Sequence, residues 1–339
     1  MPRIIDMDKI TLAHGSGGKL MHQLIDSLFI SEFDNDIVRE KKDAASLNIG
    51  NSRIAFTTDS YVVKPIFFPG GDIGTLAVYG TVNDLAVSGA KPLFISIGMV
   101  IEEGLDIKVL ERITISMRDA AKRAGVKVVT GDMKVVEKGS CDRIFINTSG
   151  IGEIRCGGLS IDKIRPGDSI IVSGPIGDHA VSVLSEREGM GFKTKVKSDS
   201  APLNYLISKI LNASRKVRFM RDPTRGGVGT TLNEIVSGQG FGIAIDEKSL
   251  PVRAGVRQAC ELLGFDPLYL ACEGRVIVIV AKEDEKKVLQ AMKRDPLGRM
   301  AKVIGRVTGD YQGSVYLNTA AGGKRSVEMM TGEQLPRIC

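Results

Sequence analysis

The side chains best suited to chemistry in this sequence are a terminal thiol and a scatter of carboxylates beside strand-like runs and glycines. Cys339 is the last residue. A thiol there has no following residue to pack it, so it reads as exposed and reactive. The adjacent α-carboxylate disfavours thiolate while Arg337 or another cation favours it, so its use as an acceptor calls for help from a partner. Asp43, Asp59, Asp84 and Asp132 recur at strand ends or beside glycine, and Asp222 joins them from the second half. Carboxylates repel a triphosphate, but Mg²⁺ between them reverses the sign of the interaction by taking oxygens from both sides. For any one aspartate a turn or helix cap is the ordinary alternative. Asp84 resists it, because Thr81-Val82-Asn83-Asp84-Leu85-Ala86 sets two polar groups in an apolar helix, where burial demands partners.

Two glycine-bearing segments could meet phosphate. His14-Gly15-Ser16-Gly17-Gly18-Lys19 precedes a short amphipathic helix and would let backbone N–H groups approach an anion, although its spacing is not that of a Walker A loop and a plain flexible loop is equally compatible. In Asp222-Pro223-Thr224-Arg225-Gly226-Gly227, Asp222 could face a metal while Thr224 caps the next helix, with simple capping as the alternative. Lys134, two residues after Asp132, and Glu273, just before a strand-like run, could project from strand-edge loops toward a cleft; solvated surface positions are the commoner fate of both types.

The elements that must position these groups alternate through the chain. Strands are expected over 53–58, 93–101, 126–129 and 143–148, a largely buried helix over 73–88, and an amphipathic helix whose apolar face carries Leu110, Ile113, Met117, Ala120, Ala121 and Ala124 before Gly125 ends it. The second half predicts helices near 178–188, 202–213, 226–237, 252–263 and 283–294, with strands at 169–173, 242–245, 276–281 and 302–307. The chain thus divides into a leader over 1–40, a domain over 41–155, a second over 156–310 and a mobile tail over 311–339.

With 43% hydrophobic and 25% charged residues the composition is that of a globular protein. The net charge of +6 is spread along the chain and only 5% of residues are aromatic, which argues against a nucleic-acid platform. No apolar run approaches the roughly 20 residues of a membrane span, and the amino terminus lacks the apolar stretch of a signal peptide, so no membrane partner and a cytoplasmic location are expected. Five cysteines are too few for a disulfide framework, and with three histidines they form no zinc motif.

Taken together, the segments Ala13–Gly18, Phe56–Ser60, Phe68–Gly74, Gly80–Ala86, Gly131–Val136, Asp222–Gly227 and the terminal Pro336-Arg337-Ile338-Cys339 resemble the HypE family of carbamoyl dehydratases, hydrogenase maturation factors of the aminoimidazole ribonucleotide synthetase (PurM-like) superfamily. The resemblance spans nearly the whole chain. The acidic motifs are shared across the superfamily, and the terminal Pro-Arg-Ile-Cys narrows the choice. It implies an α+β fold of two PurM-like domains, with the amino-terminal domains of a homodimer pairing into a β-barrel. It further implies ATP and Mg²⁺ held by Asp43, Asp59, Asp84, Asp132 and Asp222 beneath Gly15, Ser16, Gly17 and Gly18. Cys339 would accept a carbamoyl group from a carbamoyltransferase maturation protein. ATP-driven dehydration, with Lys134 polarising the oxygen and Glu273 as base, would leave a thiocyanate whose cyanide passes to an iron-bearing scaffold complex. A small-molecule kinase on the same nucleotide site, or a nucleotide-binding assembly partner, are the alternatives.

Overall fold

The glycine-rich segment ends where Gly18 gives way to α1 (Lys19–Leu24), which runs through a π-helical stretch, Ile25–Ile30, into α2 (Ser31–Phe33) and on to α3 (Asp36–Arg39). The structure, a computed structural model, describes residues 9–15, 17–33, 35–187, 192–330, 335 and 337–339. β1 (Ala45–Ile49) and β2 (Ser52–Tyr61) form a hairpin, and β3 (Phe67–Phe68) pairs with β4 (Gly71–Asp72) in a second, smaller one. Asp72 then caps α4 (Ile73–Val87): its carboxylate accepts from the Thr75 amide at 2.9 Å while Thr75 Oγ1 accepts from the Asp72 amide at 2.9 Å. β5 (Ala90–Glu102), α5 (Ile107–Ala124), β6 (Lys127–Val136) and β7 (Ile144–Ile154) complete the first domain. Its five-stranded sheet runs β1-β2-β7-β5-β6.

Apolar on every side, α4 can be stable only when wrapped. It lies between α5 and the face of β2 and β7, and also reaches the second domain. Asn83 supplies that connection: its Nδ2 donates to Ala201 O at 3.2 Å and its Oδ1 accepts from the Leu203 amide at 2.8 Å. The opposite face of the sheet has no such cover among the described residues. Phe56, Ile151 and Phe94 lie in one cross-strand row on β2, β7 and β5 and are all exposed, with Val100, Met133 and Val135 on the same sheet.

The second domain contains β8 (Ser169–Val172), α6 (Asp178–Ser185), α7 (Asn204–Ala213), β9 (Val217–Arg221), α8 (Gly227–Val236), β10 (Gly242–Asp246), α9 (Ala254–Leu263), β11 (Ile277–Val280), α10 (Glu285–Lys293) and β12 (Lys302–Thr308). Its sheet has seven strands in the order β14-β13-β10-β12-β8-β11-β9, the last two in sequence being β13 (Val315–Asn318) and β14 (Lys324–Ser326). Part of the tail expected over 311–339 therefore belongs to this sheet. Val315 and Leu317 are buried, and β13 runs parallel to β10, because their apolar alternation completes the sheet's covered face. β9 was also not anticipated.

Candidate active site

A cleft of about 770 Å³ opens between the two domains. Its floor is the end of β2 with Gly80 and Asp84 of α4, one wall is the 221–225 turn between β9 and α8, and Met21, His22, Ile25 and Phe29 close it from above. Asp43, Asp59, Asp84, Asp222, Glu273 and Cys339 all line this space, so residues separated by almost the whole chain meet as expected.

The carboxylates are arranged in two kinds of company. Asp43 Oδ1 lies 3.1 Å from Arg221 Nε, and the same guanidinium reaches Glu234 at 3.1 Å, which in turn meets His22 Nε2 at 2.8 Å. Asp84 has no ion-pair partner among the described residues. Its Oδ2 lies 3.0 Å from Thr57 Oγ1, which is 2.7 Å from the Asp43 carbonyl oxygen. Burial, then the charges of Asp222, Asp43 and Asp59, push Asp84 well above the usual carboxylate range. Burial and Asp43 push Asp222 up to about 7. A protonated Asp84 can donate to Thr57 while Thr57 donates to the Asp43 carbonyl, which satisfies all three groups. Crowded, mutually repelling carboxylates of this kind fit a divalent cation that shares ligands with phosphate, although no three such side chains among the described residues converge into a preformed metal shell.

Glu273 is buried at 4% exposure and its Oε1 has no hydrogen-bond partner among the described residues. Burial first, then Asp222, Asp199 and Asp59, raise its pKa well above the ordinary glutamate value, against the pull of Arg225. Asp199 holds the loop carrying it, accepting from the Glu273 and Gly274 amides at 3.2 and 3.3 Å.

Cys339 is not exposed. It is 8% accessible, and its Sγ receives a hydrogen bond from Arg225 Nε at 3.0 Å. Burial pushes the thiol up to about 12 despite Arg225, with Glu273 adding to the rise. The expectation of a free end fails because the last residues are bound like a strand: the Val62 amide donates to Cys339 O and the Lys64 amide to Arg337 O, both at 3.1 Å. Ile338 inserts into an apolar cluster built by both domains, a burial that stabilises docking by about 1.5–3 kcal/mol. His179 Nε2 lies 2.8 Å from Ile338 O; a carbonyl only accepts, so Nε2 carries the proton and Nδ1 accepts from Ser198 Oγ at 2.8 Å. Arg187 Nη2 donates to Arg337 O at 2.9 Å, and Arg337 itself pairs with Asp142.

Gly17 lines the cleft at φ +78°, where a Cβ would fall 2.9 Å from Arg225 Cβ, and Arg225 Nη1 donates to the Gly15 carbonyl. Gly18 precedes α1, and Ser16 lies outside the described residues. Two expected site residues stay away from this cleft. Asp132 and Lys134 are exposed on β6 and pair with each other at 2.7 Å. Their strand is at the sheet edge, three positions from β2 and so about 14 Å across the sheet. Thr224 does not cap α8, whose N-cap is Gly226; its carbonyl instead accepts from the Gly227 amide at 3.0 Å. Sequence reasoning assigned no role to Arg225, Arg221, Glu234 or His179. Arg225 carried a signal, standing inside the Asp222–Gly227 segment; the others had none.

The two α+β domains match the two domains of AIR synthase related proteins, the N-terminal one over residues 41–154 and the C-terminal one over residues 165–318. The carbamoyl dehydratase HypE of Azotobacter vinelandii is 48% identical over 331 residues, 97% of either chain. A crystal structure of a HypE–HypF complex superposes with a TM-score of 0.85 at 50% identity, covering 91% of this chain and 99% of that one. A crystal structure of HypE in complex with ATP does so at 0.82 and 48% identity, covering 97% and 100%. The chain belongs to the HypE family of carbamoyl dehydratases.

Proposed function

We propose that the chain uses ATP to dehydrate an S-carbamoyl group on Cys339 to a thiocyanate, supplying cyanide for the iron of a [NiFe]-hydrogenase under maturation. The observation that carries this reading is the position of the Cys339 sulfur, inside the cleft beside Arg225 and with Glu273 on the same wall. An adduct on that sulfur is delivered to the reacting groups by its own tether, which removes the entropic cost of a second encounter.

The reaction takes the γ-phosphoryl group of ATP onto the carbamoyl oxygen. The nitrogen gives up one proton as the O-phosphorylated imidate forms; the C–O bond then breaks with phosphate as leaving group while the nitrogen gives up its second proton, leaving S–C≡N and ADP. Asp43, Asp59, Asp84 and Asp222 would hold Mg²⁺, which supplies charge neutralisation for the phosphates. Arg225 orients the sulfur and its adduct. Glu273 accepts the nitrogen-bound proton: its buried carboxylate is a strong base once ionised. Gly15, Ser16, Gly17 and Gly18 cover the nucleotide. A homodimer formed over the exposed row of Phe56, Ile151 and Phe94 buries that apolar face. Asp132 and Lys134 then serve the other subunit's cleft, where Lys134 polarises the carbamoyl oxygen. A carbamoyltransferase loads the thiol, and an iron-bearing scaffold complex takes the cyanide.

The experiment is mass spectrometry of Cys339 after incubation with a carbamoyl donor, the transferase and MgATP. Loss of one water from the carbamoyl adduct is expected, with matching release of phosphate. A carbamoyl adduct that persists in the presence of MgATP sinks the proposal, and phosphorylation of an added small molecule by Cys339→Ala would make the chain a kinase instead.

A further inference from the structure

A second cavity, of about 650 Å³, opens in the second domain and takes no part in the chemistry above. Its walls are the irregular segment 193–199, the start of α6 and the first turns of α9. Lys193, Lys195, Lys197, Arg253 and Arg275 line it against only two carboxylates, Asp178 and Asp199. Those carboxylates are already committed: Asp178 Oδ2 to Arg253 Nε at 2.9 Å and Arg275 Nη2 at 3.6 Å, Asp199 Oδ2 to Arg275 Nε at 3.4 Å. The three lysines make no ion pair among the described residues, and all three are exposed while Thr194 and Val196 between them are half-buried. This wall is built for an anion.

A second observation narrows the ligand. Asp178 Oδ1 is buried and has no hydrogen-bond partner among the described residues, although its residue lines the cavity. A carboxylate oxygen in that state calls for a donor, which the ionised oxygens of a phosphate group do not bring and a neighbouring hydroxyl or amino group does. We propose that the cavity binds a phosphate monoester bearing a hydroxyl or amino group close to the phosphate, the lysines and Arg253 taking the phosphate and Asp178 Oδ1 accepting from the neighbouring group. Ser198 connects the site to the terminal segment. Its hydroxyl lines the cavity and donates to His179 Nδ1, while His179 Nε2 holds the Ile338 carbonyl. A phosphate oxygen that draws the Ser198 hydroxyl away removes the donor from His179 and loosens its grip on Ile338. Occupancy of the cavity thereby frees Cys339.

Titration calorimetry of the full chain with glycerol 3-phosphate tests the site, with inorganic phosphate and glycerol at matched ionic strength as comparisons. Saturable one-to-one binding is expected. Lys195→Gln combined with Lys197→Gln, both at exposed positions without an ion pair among the described residues, should weaken it about ten- to a hundredfold, since charge-assisted hydrogen bonds are lost. Asp178→Asn should weaken glycerol 3-phosphate more than inorganic phosphate. Saturation should also speed alkylation of Cys339 several-fold in the parent and not in the double variant. Absence of saturable binding, or equal binding by parent and double variant, overturns the site; unchanged alkylation at saturation overturns its link to the tail.

Discussion

Replacing Ile338 by Ala should release Cys339 from its own active site. The wild-type side chain is 5% exposed within the apolar cluster that both domains build, and truncating a buried Ile to Ala costs about 2–5 kcal/mol. A docked terminus that loses even 2 kcal/mol opens about 30-fold more often, at 1.4 kcal/mol per tenfold. The docked thiol is nearly inert, because burial moves it from 9.0 to about 12 and lowers its thiolate fraction near neutral pH about a thousandfold. Alkylation therefore proceeds through the open form, and its rate should rise about 30-fold or more in Ile338→Ala. Iodoacetamide labelling of the four-substituted variant that retains only Cys339 reads this directly, with circular dichroism to verify folding. The pH dependence carries a sign of its own. The docked state keeps its proton above pH 9 while the free terminus loses it, so docking is fully stable below about 9 and weakens progressively between there and about 12. A rate in folded Ile338→Ala within twofold of the parent at pH 8 would refute the docked terminus.

Glu273→Gln should keep ATP binding and carbamoyl loading while slowing dehydration about 10²–10⁴-fold, measured as phosphate release in a single turnover. The ligand-free protein should lose stability as pH rises from about 4 toward 7, because Asp222 keeps its proton up to about 7 when folded but only to its ordinary 3.8 when unfolded; thermal melts with and without Mg²⁺ should show the cation flattening that slope. Asp84→Asn should raise the melting temperature of the ligand-free protein by removing a buried, unpaired carboxylate, yet reduce MgATP turnover, and a lowered melting temperature would contradict the crowding described above. If the protein is the proposed homodimer with every cleft drawing on both subunits, Lys134→Ala and Glu273→Gln should each be inactive alone, whereas mixed and reassembled subunits should recover roughly a quarter of wild-type activity.

Much of the site could be read from residue type and neighbours alone. Thr81-Val82-Asn83-Asp84 announced buried polar groups, and the structure supplies their partners in Thr57, Ala201 and Leu203. The acidic residues and Cys339 were visible as candidates because carboxylates beside glycine and a terminal thiol are chemically unusual wherever they fall. Helices such as α4 and α5 were legible within a few residues, since their apolar content and their capping residues are local properties. The sequence by itself thus determined the inventory of reacting groups and most of the elements that carry them. Tertiary structure decided which of them meet. It set Arg225 against the Cys339 sulfur, 114 residues away in sequence, buried a terminus that composition marked as free, and put Asp132 and Lys134 on an edge strand away from the cleft. The reason is physical: a residue's type fixes what it can donate, accept or ionise, whereas the low-dielectric surroundings that move its pKa and the backbone groups that hold it come from segments remote in the chain.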